Sequence, residues 1–116
     1  LNFFLGQIFY DEIPQDYIEY AYLTGHQIGG HHAPLYFVGG QLFSPDIRER
    51  FYEELTMPVL VIWGDDPNVS YENLPTTVDE RENWTAVRFD QSRSLPHWDE
   101  FDRTIGLLDE LHATVD

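Results

Sequence analysis

The 116-residue sequence contains no cysteine. Disulfide bonds, thiolate metal ligands and a cysteine nucleophile are therefore excluded. A long hydrophobic run is also missing, because the apolar stretch over residues 1–10 is interrupted by Gly6 and Gln7 and is followed by Asp11 and Glu12. Without a basic flank, this stretch is typical neither of a signal peptide nor of a membrane-spanning helix.

Lysine is absent as well. The six basic residues are all arginine, they stand against 21 acidic residues, and the net charge is −15. Such a charge argues against nucleic acid or an anionic membrane as a partner. The acidic residues are spread along the chain, and molar salt, with a Debye length of about 3 Å, would screen their mutual repulsion. We therefore predict a protein of the high-salt cytoplasm of an extreme halophile; the alternative is an ordinary acidic protein.

Length and composition fit a single folded domain, since 42% of the residues are hydrophobic and 16% are aromatic. This is enough apolar material for a core. The first residue is leucine and not methionine. We therefore expect the chain to begin inside a longer reading frame or a processed product.

Residues 1–56 are predicted to be helical. Helices are expected over residues 16–27 and 35–43, the second interrupted by a pair of glycines. A third helix is marked by Ser44 as its N-cap and Pro45 as its first residue. Its apolar stripe consists of Ile47, Phe51, Tyr52 and Leu55.

The second half of the sequence alternates between strand and helix patterns. Residues 59–63 form an apolar run typical of a strand buried on both faces, and residues 85–89 form a second, less apolar strand. A helix between them begins near Ser70 and is limited or kinked by Pro75, and a final helix begins near Asp99. The stripe of this last helix consists of Phe101, Ile105, Leu108 and Leu111. The order predicts two parallel strands joined by a right-handed crossover.

Two parallel strands do not complete a sheet. They leave backbone donors and acceptors unpaired at the edges, and three or more strands are normally needed for independent stability. We therefore expect a partner that completes the sheet. It could be a missing N-terminal part of the same protein, a second chain, or a swapped copy in a homo-oligomer.

The strand and acidic turn at residues 58–67 read Pro-Val-Leu-Val-Ile-Trp-Gly-Asp-Asp-Pro, and Ser-Leu-Pro-His-Trp-Asp-Glu follows at residues 94–100. Together they resemble the C-terminal part of an α/β-hydrolase. The resemblance implies an α/β fold in which residues 1–56 are a helical lid or cap segment. Residues 57–116 would then be the last β-α-β-α part of the hydrolase core, and the chain would cover about the last third to half of a typical member.

The resemblance also implies catalytic roles. Asp66, directly before a proline at the end of the strand, matches the acid that orients a histidine, and Asp65 is the fallback because the turn is one residue shorter than the common form. His97 is then the general base of an ester-type hydrolysis. A second alignment places Ser94 at the position of the base, which leaves the site without one. Both alignments remain open at this point.

No Gly-x-Ser-x-Gly turn occurs in the sequence. The chain by itself is therefore predicted to be inactive, and hydrolysis would require a missing N-terminal part that supplies the nucleophile. The alternative is a non-catalytic hydrolase-fold scaffold or binding protein. No cofactor is expected in either case.

Three histidines lie close together in the first half, at positions 26, 31 and 32. Their spacing of five and one, with two glycines between, does not place ligands on one helix face. No metal site is therefore predicted. His26, at the end of a lid helix, and Trp98, beside His97, are the candidate substrate-binding residues.

Overall fold

The computed structural model describes residues 2–115. Its contacts divide them into two units, one of residues 13–55 and the other of residues 2–12 together with residues 56–115. The sequence places a boundary after residue 56, whereas the structure groups the first helix, α1 (Asn2–Ile8), with the strand-containing half. Long-range hydrogen bonds to the backbone of α1, described below, are the physical reason.

The unit of residues 13–55 is helical, as predicted. It contains α2 (Gln15–Gly25), α3 (His32–Val38), α4 (Ile47–Arg50) and a short 3-10 helix (Tyr52–Glu54). The glycine pair after α3 ends that helix, and Gly40 has the left-handed φ of 72° that glycine adopts without strain. No residue between 13 and 55 is buried, so this unit has no core of its own.

The predicted start of the third helix is wrong. The helix begins at Ile47 and not after Ser44, because Asp46 adopts a left-handed conformation with φ of 54° that interrupts the helical path. The apolar stripe predicted for this third helix is not buried within its unit. Three of its members are exposed: Ile47, Phe51 and Tyr52.

The second unit is a mixed helix and strand structure around a small parallel sheet. Its further elements are β1 (Val59–Trp63), α5 (Leu74–Asp79), β2 (Trp84–Arg88), α6 (Pro96–Asp99) and α7 (Phe101–Ala113). The strands pair in parallel, from Val59 opposite Trp84 to Trp63 opposite Arg88, which confirms the predicted order and direction. Helix α5 begins later than predicted because its proline takes a first-turn position, where a missing N–H costs nothing.

Three of the four members of the predicted apolar stripe of α7 do not face the rest of its unit, and only Leu111 does. Phe101, Ile105 and Leu108 are 61%, 42% and 46% exposed, respectively. Thr104 is buried instead, and its hydroxyl donates to backbone carbonyls of α6 and of the residue before α7. Because Thr104, Leu107 and Leu111 follow helical spacing, the inward face of α7 shares only Leu111 with the predicted stripe.

Candidate functional site

The carboxyl end of β1 lies close to the loop that follows β2. Gly64 is buried there, and a Cβ atom at this position would overlap the backbone carbonyl group of Ser92. The N–H of Asp65 donates to the same carbonyl oxygen at 2.8 Å. Only glycine permits this approach, which brings the acidic turn after β1 against residues 92–94.

Asp66 has both carboxylate oxygens engaged. The backbone N–H of Asn68 donates to Oδ1 at 2.8 Å, which closes a tight turn of the kind aspartate favours. The hydroxyl of Ser94 donates to Oδ2. The carboxylate predicted as the catalytic acid is therefore bound to Ser94, the residue that the second sequence alignment places at the base position.

Asp65, the fallback acid, points elsewhere. Its carboxylate is exposed and lies 3.1 Å from the guanidinium of Arg88. The same guanidinium lies over the ring of Trp63, 5.1 Å from its centroid. Of the two neighbouring carboxylates, Asp66 is the one that meets the loop after β2.

His97, the predicted base, lies in the single turn of α6 and is exposed. Among residues 2–115, no hydrogen bond joins its ring to Asp66. The turn is fixed locally, because the N–H groups of Trp98 and Asp99 donate to the carbonyl of Leu95 at 2.9 and 3.0 Å. The structure therefore brings Asp66 and Ser94 together and leaves His97 apart from them.

The loop before α6 is held by long-range hydrogen bonds. The N–H of Ser94 donates to the carbonyl of Ile8 at 3.1 Å, and the guanidinium of Arg93 donates to the carbonyls of Gly6 and Phe9. The carboxylate of Asp99 accepts from the N–H of Arg93 at 3.0 Å. Sequence reasoning missed Arg93, because its partners lie 84 and 87 residues away and leave no local pattern.

The two predicted substrate-binding residues belong to different units. Trp98 packs edge-on against Phe9 of the α1 segment, with ring centroids 5.6 Å apart. His26 is exposed at the end of α2, where its Nδ1 lies 2.7 Å from the carbonyl oxygen of Tyr22. Within the described part of the chain, no group of three or more His, Asp or Glu side chains could hold a metal ion.

A shallow depression of about 470 Å³ lies beside the acidic turn. It is lined by Trp63, Gly64, Asp65, Asp66, Pro67, Val69, Tyr71 and Glu72. The Tyr71 ring packs on Trp63 at a centroid distance of 5.0 Å, and the pKa of its phenol is raised, first by burial and second by the negative charge of Asp66. The described lining contains the carboxylates of Asp65, Asp66 and Glu72 and the phenol of Tyr71, and it contains no imidazole.

Comparisons with protein-family models, with curated proteins and with solved structures found no match. Among residues 2–115, no helix has both the length and the apolar character needed to cross a membrane. The function is therefore argued from the geometry of the site.

Proposed function

We propose that this chain is the C-terminal portion of an α/β-hydrolase-like protein that serves as a non-catalytic scaffold or binding protein. The observation that carries the proposal is the hydrogen bond from Ser94 to the carboxylate of Asp66. In a catalytic triad, that carboxylate accepts from the base histidine and fixes its tautomer. A serine hydroxyl in the same place cannot accept a proton near neutral pH, so the acid has no base to orient.

The proposal keeps the hydrolase architecture as a framework. The short parallel sheet, its crossover helix and the acidic turn at the end of β1 support it, and further strands would complete the sheet. An upstream segment or a second chain would supply them. We also propose a high-salt cytoplasm as its location, supported by the charge of −15 and the absence of lysine.

Ester hydrolysis is the second candidate. It is favoured by the meeting of Asp66 with the loop that leads to His97 at the carboxyl end of the sheet. In this candidate Asp66 orients His97, His97 is the general base, and a nucleophile comes from outside these residues. The loop would have to exchange Ser94 for His97 beside Asp66.

An esterase assay of the full-length gene product with p-nitrophenyl acetate, in molar KCl, separates the two candidates. If the protein is a non-catalytic scaffold, we expect p-nitrophenol to be released no faster than in buffer alone. We also expect no labelling by a fluorophosphonate, which reacts with activated serines. D66A and H97A should leave both readouts unchanged, with S44A as a matched surface control. Turnover that falls by about 100-fold or more in both D66A and H97A would establish the hydrolase instead.

A further inference from the structure

One long stretch of the helical unit carries no charge. Between Glu19 and Asp46 the sequence has no Asp, Glu, Lys or Arg, although 23% of the whole chain is charged. The next longest stretches of this kind are residues 1–10 and 55–64, each less than half as long. We call residues 20–45 the uncharged segment. A gap in the charge of an otherwise acidic surface is typical of an interface, because the core of an interface is depleted of charged residues.

The uncharged segment exposes large apolar side chains. It contains the end of α2 and the whole of α3, and neither helix has a buried residue. The two helices hardly pack against each other. Ten large apolar side chains of the segment are at least half exposed: Tyr20, Tyr22, Leu23, Ile28, Leu35, Tyr36, Phe37, Val38, Leu42 and Phe43. Residues 2–115 therefore leave most of this apolar surface uncovered.

Helix α3 is apolar around most of its circumference. Leu35, Tyr36, Phe37 and Val38 follow one another, so at 3.6 residues per turn their side chains point in nearly all directions from the axis. A helix that is apolar all round is typically buried. With seven residues, α3 is also shorter than the 12–15 residues at which an isolated helix becomes even marginally stable in water. Packing against a further surface is therefore required to hold it.

The exposed apolar area is of the size that a dimer needs. An aromatic side chain has roughly 150–250 Å² to bury, so a half-exposed one still offers about 80–120 Å². The ten side chains together offer on the order of 800–1,000 Å². A stable interface of standard size buries about 800 Å² on each partner. The largest apolar patch of a typical monomer is smaller, at about 300–600 Å².

We propose that the uncharged segment is the interface between two copies of this chain, related by a twofold axis. Each copy carries a net charge of −15, so the rest of its surface repels a second copy. The uncharged segment is the longest part of the chain that two copies can bring together without opposing their carboxylates. A basic partner would be drawn to the carboxylates instead. Two copies of α2 and α3 supply four short helices, which can bury together what two cannot.

Light-scattering chromatography of the full-length gene product measures the association. In about 1 M KCl we expect a dimer at protein concentrations on the order of 10 μM. L35E should raise the dissociation constant by about tenfold or more, because the dimer would then bury an unpaired carboxylate. V69E is the matched control, since Val69 is also half exposed but lies outside the segment, and it should leave the dimer unchanged. Lowering KCl to about 0.1 M should weaken the dimer by restoring the repulsion.

Cysteine labelling tests where the two copies meet. V38C places a thiol at an exposed position of α3, and V69C places one outside the segment. Mass spectrometry of the digested protein follows the reaction of each residue with a maleimide. The reaction at V38C should slow as the protein concentration rises through the range of dimer formation. The reaction at V69C should keep the same rate throughout.

Four results would overturn the proposal. The first two are a monomer at about 100 μM in about 1 M KCl and a dimer that L35E does not weaken. The third is slow labelling of V38C in the monomer, which would make an upstream part of the same protein the cover of the segment. The fourth is a monomer that binds phosphatidylcholine vesicles through the segment, which would make the cover a lipid surface.

This interface goes beyond the proposed function. It uses no residue of β1 or β2, the strands to which the proposed function adds further strands. Association and labelling are measured without esterase turnover. Failure of the dimer and failure of the proposed function are therefore distinguished.

Discussion

The hydroxyl of Ser94 donates to the carboxylate of Asp66 across 28 residues of sequence. Both side chains are half-buried where the turn after β1 meets the loop after β2. In the proposed hydrolase framework, this hydrogen bond would stand in place of the contact between acid and histidine in a triad. It also joins the turn after β1 to the loop after β2, and the relative position of these two segments determines which side chain meets the carboxylate of Asp66.

Removing that hydrogen bond should lower stability moderately. We expect S94A to reduce the free energy of unfolding by about 1 kcal/mol, less than for a fully buried bond to a charged group, because the pair is partly solvated. A double-mutant cycle of S94A and D66A, measured by urea unfolding, should give a coupling energy of similar size. S44A should change stability by less than about 0.5 kcal/mol. A coupling energy near zero would contradict the bond.

Gly64 should tolerate no larger side chain. The Cβ atom in G64A would overlap the backbone of Ser92, and separating the two segments should cost about 1–3 kcal/mol. Gly106 of α7 is the matched control, since a Cβ atom there meets nothing within 4 Å. G106A should stabilise the helix by about 0.5–1 kcal/mol. Equal effects of the two variants on the urea midpoint would argue against the close approach.

Arg93 should hold α1 against the loop before α6. R93A removes the donor that serves the carbonyls of Gly6 and Phe9, at a cost of about 1–3 kcal/mol. Hydrogen exchange followed by mass spectrometry should show faster exchange in residues 2–10. R50A, on the exposed helix α4, is the control and should leave this segment unchanged. Unaltered exchange in R93A would show that α1 is held by other contacts.

Tyr71 should make stability depend on pH in the alkaline range. Burial, and to a smaller extent the charge of Asp66, raises the pKa of Tyr71 above its ordinary value of 10.0. As the pH rises past 10.0, the unfolded state loses the phenolic proton first, so the free energy of unfolding falls until the folded-state pKa is passed. Y71F should lessen this fall. Urea unfolding of wild type and Y71F at pH values below and above 10.0 measures the difference.

The matched variant for this titration is D66N. It should retain most of the shift in the pKa of Tyr71, because burial is the larger cause. An identical alkaline loss of stability in wild type and Y71F would contradict the assignment.

Salt should stabilise the fold. With a net charge of −15, repulsion between carboxylates opposes compaction, and raising KCl from about 0.1 M to about 1 M shortens the Debye length from about 10 Å to about 3 Å. The urea midpoint should therefore rise over this range. An uncharged osmolyte at equal osmolality serves as the control, and a midpoint insensitive to KCl would remove the basis for a halophilic origin.

Several elements could be predicted because their causes are local. The run at β1 is apolar on both faces, and a short crossover imposes the parallel pairing with β2. The start of α4 could not be predicted, because the left-handed conformation of Asp46 overrides the capping pattern before it. The inward face of α7 also differs from the predicted stripe. Thr104, a polar residue outside the apolar stripe, takes the buried position because its hydroxyl is satisfied by two backbone carbonyls.

The sequence by itself determined that a carboxylate stands at the end of an apolar strand, that no cysteine chemistry is possible and that the chain is strongly acidic. Only the tertiary structure decided which residue of the later loop meets Asp66. The close approach at Gly64 and the hydrogen bonds from Arg93 and Ser94 to the α1 segment fix that loop. These contacts join residues far apart in the chain, and no local pattern encodes them.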